Sequence, residues 1–462
     1  MKMEKRLLGL LAIVVSLVIP GCKSSNKNEI KFQFLKAGMG LEVYENLAKA
    51  YEAEHPGVKV KLIPNYDVNA DVDKHLSSGR CSDIYSVRDI TKLKRFFISG
   101  DIINLNDVYD SEIVDGQKLI DLIEPAAADY CEYNGNYICV PEYMNVNGFV
   151  YNKKLFDEKG WTVPTTTEEM TALAEKIKAD TGDTIKAFVT CAPADGYFYY
   201  LLNGISDAYE GLTNLENIYK FDTPEIWNPA NREGKRYGMQ TMRDWYTDPE
   251  DGKGYVLHGS IGQTHTVSQE QLVKNKAAMM LNGSWFESEM KSYLDPAIDE
   301  MAMFKIPEYS EGGVVLHNEG YDTKDGKGII GCEFPASFII PSKAKNIEGA
   351  KDFLKFISRP DICELFTKSC NSVRPFKYNK DSSSEVYKDM TTFGKSVLDI
   401  ANNNNPFIEY SKSQLTISDE LAFWPLEDDR YHIKAMLQNG TSIDTRLQAE
   451  YDKVKTIDFT KQ

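Results

Sequence analysis

Apolar and polar residues alternate from Ile30 to Leu35 and again from Val58 to Ile63, and this spacing predicts two strands. Between them, the segment from Leu41 to His55 carries apolar residues at helical spacing and is ended by a Pro-Gly pair. A further helix over Val72–Ser78 and a short buried strand over Ile84–Val87 follow. This β-α-β-α-β order predicts an α/β unit with a largely parallel sheet.

The rest of the chain mixes the same two patterns, and no internal repeat is visible. A hairpin is predicted from Tyr130 to Val140, around the turn signal Asn134-Gly135. Further strands are predicted over Val146–Tyr151, Ala187–Thr190, Ala277–Leu281, Met301–Ile306 and Phe338–Ile340. Further helices are predicted over Thr167–Ala179, Gln269–Asn275, Ile347–Ser358, Tyr431–Leu437 and Ser442–Val454. The pattern is therefore α/β along the whole chain.

The first residues predict the compartment. Three cations within the first six residues precede an apolar run from Leu7 to Ile19, which is shorter than the ~20 residues of a membrane-spanning helix and suits a secretory signal. The run ends at Gly21-Cys22, which is typical of a lipoprotein cleavage site where the Cys22 thiol is joined to diacylglycerol. We expect residues 1–21 to be removed and the polar residues 22–28 to form a flexible tether. An ordinary secretory signal followed by an incidental cysteine is the alternative.

Length and charge narrow the range of partners. The 462 residues allow two or three domains with substantial cores. The net charge is −16, and loss of residues 1–21 removes three cations and one anion, which leaves −18. Such a charge repels phosphates, so we expect neither nucleic acid nor an anionic substrate as a partner. Aromatic residues make up 11% of the chain, which is compatible with a sugar-binding site.

Cysteine spacing and the absence of motifs argue against a metal, a cofactor or a catalytic residue. With Cys22 assigned to lipid, seven cysteines remain and cannot all pair within the chain. Cys131 and Cys139 flank the predicted hairpin turn and could form a disulfide, but buried apolar thiols are the interpretation we favour. No C-x-x-C, G-x-x-x-x-G-K-[ST], H-E-x-x-H or G-x-S-x-G occurs. The acidic run at Asp67–Asp73 lacks the Gly and Glu of a calcium loop, so we expect the start of a helix there.

Four segments carry a resemblance to a known family. They are Tyr151–Phe156, with Thr167-Glu168-Glu169 after it; Lys276–Trp285; Phe338–Ser342, running into Ala350–Ile357; and Ala422-Phe423-Trp424, followed by Asn439–Ser442. In this order, behind a lipoprotein signal, they resemble the solute-binding proteins of carbohydrate ABC importers, the group that contains maltose-binding protein. The resemblance covers essentially all of residues 29 to 455.

The resemblance implies a two-lobed, periplasmic-binding-protein-like α/β fold of type II, with a cleft between the lobes and about three hinge crossings. It places residues 29–142 and 303–358 in lobe 1 and residues 143–302 and 359–462 in lobe 2. It implies a monomer, anchored by lipid to the outer face of the bacterial cytoplasmic membrane. Such a protein captures a carbohydrate, here expected to be an oligosaccharide, and delivers it to the permease subunits of an ABC transporter without enzymatic conversion.

The expected site combines aromatic rings with polar side chains, because sugar rings stack on aromatic faces while their hydroxyls need donors and acceptors. Trp285 follows a predicted strand, and we expect Gly283 to let the chain turn there. The matching aromatic residue of the family stacks on sugar; a core tryptophan at a helix start is the alternative. Trp424 matches a second stacking residue, although Pro425 departs from the family pattern.

The other expected ligand-binding residues lie at strand ends and at the first hinge crossing. Arg88 and Asp89 match a region where the family places charges that bind hydroxyls. Glu142 and Tyr143 are expected to be exposed at the mouth of the cleft. The remaining candidates are Tyr197, Tyr199, Met39 and Phe334.

Two other functions stay open at this point. One is the binding of a different solute, such as a polyamine, a glycerol phosphate or a peptide, and the net negative charge is compatible with a cationic ligand. The other is a secreted glycoside hydrolase, which needs two carboxylates ~5–9.5 Å apart on either side of the scissile bond.

Overall fold

The computed structural model describes residues 28–456, except for positions 37, 89, 192–194, 221–222, 250–251, 324, 409–436 and 438–439. The strands are β1 (Glu29–Leu35), β2 (Lys59–Asn65), β3 (Ile84–Val87), β4 (Glu112–Val114), β5 (Gln117–Lys118), β6 (Glu132–Tyr133), β7 (Asn136–Tyr137), β8 (Val140–Tyr143), β9 (Asn147–Asn152), β10 (Lys186–Phe188), β11 (Ala277–Gly283), β12 (Met301–Phe304), β13 (Ser310–Glu311), β14 (Val314–Val315), β15 (Gly328–Cys332), β16 (Ala336–Ile339) and β17 (Asn404–Ile408).

Helices flank the strands along the whole described chain. They are α1 (Glu42–Glu54), α2 (Val68–Ser78), α3 (Ile90–Ile98), α4 (Asn106–Tyr109), α5 (Leu119–Leu122), α6 (Pro125–Cys131), α7 (Lys153–Lys159), α8 (Thr167–Thr181), α9 (Asp195–Glu210), α10 (Leu212–Ile218), α11 (Glu233–Tyr246), α12 (His265–Val273), α13 (Phe286–Met290), α14 (Ile347–Ile357), α15 (Pro360–Cys370), α16 (Glu385–Asp389), α17 (Thr392–Asn403) and α18 (Ile443–Val454).

The first lobe is built on a five-stranded sheet in the order β2-β1-β3-β16-β8. Its first three strands are parallel, and β16 joins them in the antiparallel direction. Phe32 lies at the centre of its core, with ring centroids 5.6 Å from Tyr44 on α1, 5.6 Å from Phe338 on β16 and 5.9 Å from Phe353 on α14. Strands β1 and β3 are parallel neighbours, so their carboxyl ends lie together at one open edge of the sheet.

The second lobe is built on a four-stranded sheet in the order β10-β11-β9-β12. Every residue of β9 and β11 is buried, including the polar residues Asn147, Asn152 and Asn282 at their ends. Phe149 lies at the centre of this core, with ring centroids 5.5 Å from Phe304, 6.0 Å from Phe188 and 6.1 Å from Trp245. Each lobe therefore has its own aromatic core, and the two-lobed α/β fold expected from the resemblance is confirmed.

The chain passes between the lobes three times within the described residues: from β8 to β9, from β12 to β16, and after α15. Strand β12 keeps residues up to 304 in the second lobe. Helix α15 packs against α1 and so belongs to the first lobe, beyond the boundary expected at residue 358. Helix α17 packs against β12, which returns the chain to the second lobe. Strands β13 and β15 still pack against α8 and α9 of the second lobe, and β16 is the next strand of the first-lobe sheet. We therefore propose boundaries between 332 and 336 and between 371 and 391 in place of those at 303 and 358.

Most predicted elements of the first lobe are present. The strand Ile84–Val87 has the predicted bounds, and β1, α1 and β2 differ from prediction by one or two residues. The acidic run is a helix start, since Asp67 caps α2 by accepting a hydrogen bond from the amide of Ala70 at 3.1 Å. The hairpin around Asn134-Gly135 is reduced to β6 and β7, because α6 occupies the residues before it.

The seven cysteines that the structure describes are all buried free thiols, as favoured above. Within the described residues, no helix is both long and apolar enough to span a bilayer. The predicted signal, the tether and the helix over Tyr431–Leu437 lie outside the described residues, apart from Asn28 and Leu437.

Candidate ligand-binding site between the lobes

A cavity of about 270 Å³ lies between the two lobes. The first lobe contributes residues at the ends of its strands, and the second lobe contributes residues at the beginnings of its helices. The lining residues are Leu35, Gly38, Arg88, Tyr143 and Asn145 from the first lobe or the crossing after it, and Tyr197, Tyr200, His265, Trp285 and Glu289 from the second.

The sheet topology explains why these residues meet. Strands β1 and β3 run parallel, so Leu35 at the end of β1 and Arg88 after β3 reach the same edge. On the opposite side, β11 ends at Gly283 and α13 begins after Trp285, which brings the indole to the facing edge. A Cβ atom on Gly38 would lie 3.8 Å from the Cβ of Trp285, so the two lobes approach closely at this point.

Three aromatic rings form the second-lobe wall of the cavity. The half-buried Trp285 ring lies nearly parallel to the Tyr197 ring, with centroids 6.3 Å apart and an angle of 14°. Tyr200, one helical turn after Tyr197 on α9, lies 6.2 Å from the indole at 59°. Burial raises the pKa of Tyr197 and Tyr200 well above the usual value, so both phenols are protonated and can donate hydrogen bonds.

Gly283 provides the space for the Trp285 ring. A Cβ atom at this position would lie 2.1 Å from Cζ3 and 2.3 Å from Cη2 of the indole. Gly283 is not among the residues with positive φ, so the expectation that it allows a tight turn is wrong. The glycine is needed because the indole folds back over the end of its own strand.

Polar groups line the opposite wall. Asn145 is 2% exposed, and its Oδ1 has no hydrogen-bond partner among the described residues, while its amide N–H donates to the carbonyl of Glu333 at 3.0 Å. Burial raises the pKa of the Tyr143 phenol, and the nearby Arg88 guanidinium opposes that rise. Burial likewise raises the pKa of Glu333, against Arg88 and a hydrogen bond from Asn145. The wall thus places a cation, a phenol and a buried, unpartnered amide oxygen beside the cavity.

Glu333 is accessible to solvent although protein surrounds it on most sides. Tyr200 combines partial solvent access with a surrounded position in the same way. A deep cleft produces this combination, because its walls displace most of the water around a side chain without covering its surface. Both residues interact electrostatically with Arg88 and Tyr143, which places Glu333 beside the cavity.

The structure brings four of the expected site residues together: Trp285, Tyr197, Tyr143 and Arg88 all line the cavity. It places Tyr199 elsewhere, since Tyr199 is on the opposite side of α9, where its hydroxyl is 3.4 Å from the Arg446 guanidinium. Consecutive helical residues point about 100° apart, so Tyr197 and Tyr200 face the cavity and Tyr199 cannot.

Glu142 is fully buried and Tyr143 is 9% exposed, so the expectation that both are exposed at the cleft mouth is wrong, although Tyr143 lines the cavity. The Glu142 carboxylate accepts hydrogen bonds from the hydroxyls of Tyr44, at 2.6 Å, and Ser86. Alternation along β8 explains the difference, because Tyr143 points to the cavity and its neighbour must point into the lobe. Burial raises the pKa of Glu142 in spite of these two bonds and the nearby Arg374.

Met39 and Phe334 also turn away from the cavity. Met39 is 4% exposed, and its sulfur lies 3.8 Å from Sγ of Cys370 in the first-lobe core. Phe334 packs edge-on against Tyr130 at 5.0 Å and lines a separate cavity behind the hinge. Near Met39, the chain reaches the site through Leu35 at the end of β1 and through Gly38 in the loop after it. Asp89, Trp424 and Cys22 lie outside the described residues.

Sequence reasoning missed Asn145, Tyr200, His265 and Glu289. Tyr200 could have been found from the sequence, because residues three apart on a helix share a face, and this pairs Tyr197 with Tyr200 and not with Tyr199. His265 is on the first turn of α12, which starts four residues before its predicted start. Asn145 could not be recognised, because only the fold shows that its amide is buried without a partner.

Polar contacts also join the two lobes outside the cavity. Lys291, just after α13, donates to Glu42 at the start of α1 at 2.7 Å, and this contact lowers the pKa of Glu42. Near the hinge, the hydroxyls of Ser284 and Ser372 lie 3.0 Å apart. Among the described residues, no group of three or more His, Cys, Asp or Glu side chains is arranged to hold a metal ion.

Comparison with known proteins agrees with the fold. The chain is 24% identical over 336 residues to a diacetylchitobiose binding protein of Streptomyces coelicolor, a match that spans 72% of this chain and 66% of that protein, just under two thirds. It is 24% identical over 371 residues to a multiple sugar-binding protein of Streptococcus mutans, which covers 78% of this chain and 79% of that protein.

A solved structure has the same fold. The GacH receptor of Streptomyces glaucescens, determined unliganded and in complex with acarbose, superposes with a TM-score of 0.63 at 17% identity, over 93% of this chain and 99% of that chain. Residues 40–362 match the family model for bacterial extracellular solute-binding proteins. This match spans more than half of the sequence, and the chain therefore belongs to the bacterial extracellular solute-binding protein family.

Proposed function

We propose that this protein captures a carbohydrate, and in particular an oligosaccharide, in the cavity between its lobes and delivers it to the permease subunits of an ABC transporter. The observation that carries the proposal is the division of the cavity into two unlike walls. One wall has three aromatic rings, Trp285, Tyr197 and Tyr200, and the other has a cation, a phenol and an unpartnered amide oxygen. A sugar has matching surfaces, because its C–H faces stack on rings and its hydroxyls need hydrogen-bond partners.

The named relatives support a sugar over other solutes. The proteins of Streptomyces coelicolor and Streptococcus mutans are a diacetylchitobiose binding protein and a multiple sugar-binding protein, and the GacH receptor binds acarbose. The unpartnered Oδ1 of Asn145 would accept a hydrogen bond from a ligand hydroxyl. The ligand-binding residues that we propose are Trp285, Tyr197, Tyr200, Tyr143, Arg88 and Asn145, with Trp424 and Asp89 retained from the sequence.

A thermal-shift screen tests the ligand class. Purified protein is incubated separately with malto-, xylo-, manno-, galacto- and chito-oligosaccharides. Spermidine, glycerol 3-phosphate and a tripeptide are tested in the same way, because they represent the alternative classes of solute. We expect the unfolding midpoint to rise with at least one neutral oligosaccharide, because a ligand that binds only the folded state stabilises it. If the unfolding midpoint rises only with spermidine, glycerol 3-phosphate or the tripeptide, the ligand is that solute and not a sugar.

The same mixtures test for enzymatic activity. We propose a binding protein without hydrolytic activity, so prolonged incubation should release no new reducing ends while calorimetry gives one ligand per chain. Release of reducing ends by the wild-type protein, and its loss on substitution of a carboxylate in the cleft, would favour the glycoside hydrolase instead.

We also propose that the protein is a monomer attached by lipid on Cys22 to the outer face of the cytoplasmic membrane. The apolar run that ends at Gly21-Cys22 supports this proposal. In bacteria that express the full chain, the wild-type protein should sediment with membranes and incorporate labelled palmitate. The variant Cys22→Ser should lose the label. A membrane fraction that keeps the label in this variant would refute attachment at Cys22.

A further inference from the structure

The edge of the first lobe continues beyond the cavity. Strands β2, β1 and β3 are parallel neighbours, and the register pairs Leu35 at the end of β1 with Asn65 at the end of β2. Leu35 and Arg88 line the cavity. Neighbouring strands lie about 4.8 Å apart, so the residue after Asn65 is one strand further out along the same edge. That residue is Tyr66.

Tyr66 is unusually exposed for an aromatic residue. Its exposure of 77% is the largest among the large apolar side chains that the structure describes as exposed. Lys36 lies beside the ring, with its Nζ 5.7 Å from the ring centroid. Fold stability does not explain the ring, since burial of apolar area is what stabilises a fold and this area stays in water.

The backbone holds Tyr66 in place despite this exposure. Asn65 Oδ1 accepts from the amide of Asp67 at 3.0 Å, and the amide of Lys36 donates to the carbonyl of Asn65 at 2.7 Å. On the next loop, the amide of Arg88 donates to Oδ1 of Asn69 at 3.2 Å, which ties the Tyr66 loop to a cavity residue. The ring is therefore presented from a fixed loop that is continuous with the cavity.

Two exposed charged side chains lie close to the ring along the chain or in space. Lys36 lies beside it and can donate hydrogen bonds, and Asp67 is the next residue and can accept them. The cavity itself measures about 270 Å³, which lies just below the range of about 300–1,000 Å³ that is usual for ligand pockets. A ligand with several rings must therefore extend beyond the cavity, and the Tyr66 edge is a continuation of it.

We propose that Tyr66 forms an outer subsite, in which it stacks on a distal ring of an oligosaccharide whose first rings occupy the cavity. Lys36 and Asp67 bind the hydroxyls of that ring. This inference rests on the proposed function and adds to it that the preferred ligands have at least three or four rings. Short sugars occupy the cavity alone and do not reach Tyr66.

Calorimetry with a length series tests the subsite. The probes are the two- to five-ring members of the malto-, xylo- and chito-oligosaccharides, titrated into wild type, Tyr66→Ala and Tyr66→Phe. We expect Tyr66→Ala to weaken binding of four- and five-ring sugars by about 3- to 10-fold, as the loss of one stacked ring predicts, and to leave two-ring sugars within about 2-fold of wild type. Tyr66→Phe keeps the ring and should keep the affinity.

The matched control is Tyr293→Ala, an exposed tyrosine of the second lobe that hydrogen-bonds Glu270 and does not line the cavity. This variant should bind all lengths like wild type. If the wild type binds the sugars but Tyr66→Ala leaves the affinity unchanged at every length, the outer subsite is refuted and the proposed function is not. The same holds if Tyr66→Ala weakens binding of two-ring and five-ring sugars equally. Failure of the wild type to bind any of the sugars overturns the proposed function and the subsite with it.

Discussion

Trp285 provides the sharpest test of the aromatic wall. Its indole is half-buried, nearly parallel to Tyr197 and 6.2 Å from Tyr200, so Trp285→Ala removes the ring shared by both aromatic contacts of the wall. A stacked ring in a desolvated site contributes about 1–3 kcal/mol, so the dissociation constant of the best ligand should rise roughly 5- to 150-fold.

The assay is isothermal titration with the sugar that gives the largest thermal shift. Trp285→Phe is the matched control, because it retains an aromatic face at the same position and should lose less than half of the binding free energy that the alanine variant loses. The unfolding midpoint of each variant without ligand shows whether the fold is intact. Unchanged affinity in Trp285→Ala, with its fold intact, would remove the indole from the site and refute the stacking argument.

Three further predictions follow from particular contacts. Gly283→Ala should weaken ligand binding about as much as loss of the indole does, because the new methyl displaces the ring; equal affinity in a titration would refute this. Glu42→Gln removes the charge that pairs with Lys291 between the two lobes, so it should weaken ligand affinity a few-fold at low salt and not at 0.5 M salt. Lys291 holds the pKa of Glu42 below its usual 4.5. The Glu42–Lys291 attraction is therefore fully present above about pH 4.5 and is lost as pH falls through the lowered pKa, which titrations across this range check. Arg374→Met should lower the free energy of unfolding in urea by about 2–5 kcal/mol, since it removes two buried hydrogen bonds from the guanidinium to the carbonyls of Ile357 and Pro141. Arg359 is partly exposed, so Arg359→Met should lower it by less than about 1 kcal/mol.

The elements of the first lobe were predictable because local patterns decide them. Alternation in β1 and β2 and helical spacing in α1 place one face of each element in the core, and these patterns need no partner to be recognised. The resemblance then gave the two-lobed arrangement, which local patterns alone do not contain. The family model confirms membership, and the two sheets confirm the lobes.

Side-chain direction within the site was not predictable in the same way. A residue next to a strand end can point into the cleft or into the lobe, and Glu142 and Tyr143 show both outcomes at adjacent positions. The choice depends on partners far away in sequence, such as Tyr44 and Ser86 for Glu142. Candidates chosen by chemical type therefore included Met39 and Phe334, whose sulfur and ring complete cores instead.

The most direct test of the account is a crystal structure of the protein grown with the oligosaccharide that the thermal-shift screen selects. We predict density for a sugar between the two lobes, with one ring against Trp285 and a hydroxyl within hydrogen-bonding distance of Oδ1 of Asn145. Sugar density anywhere else on the molecule, with the space between Trp285 and Asn145 holding only water, would contradict the account.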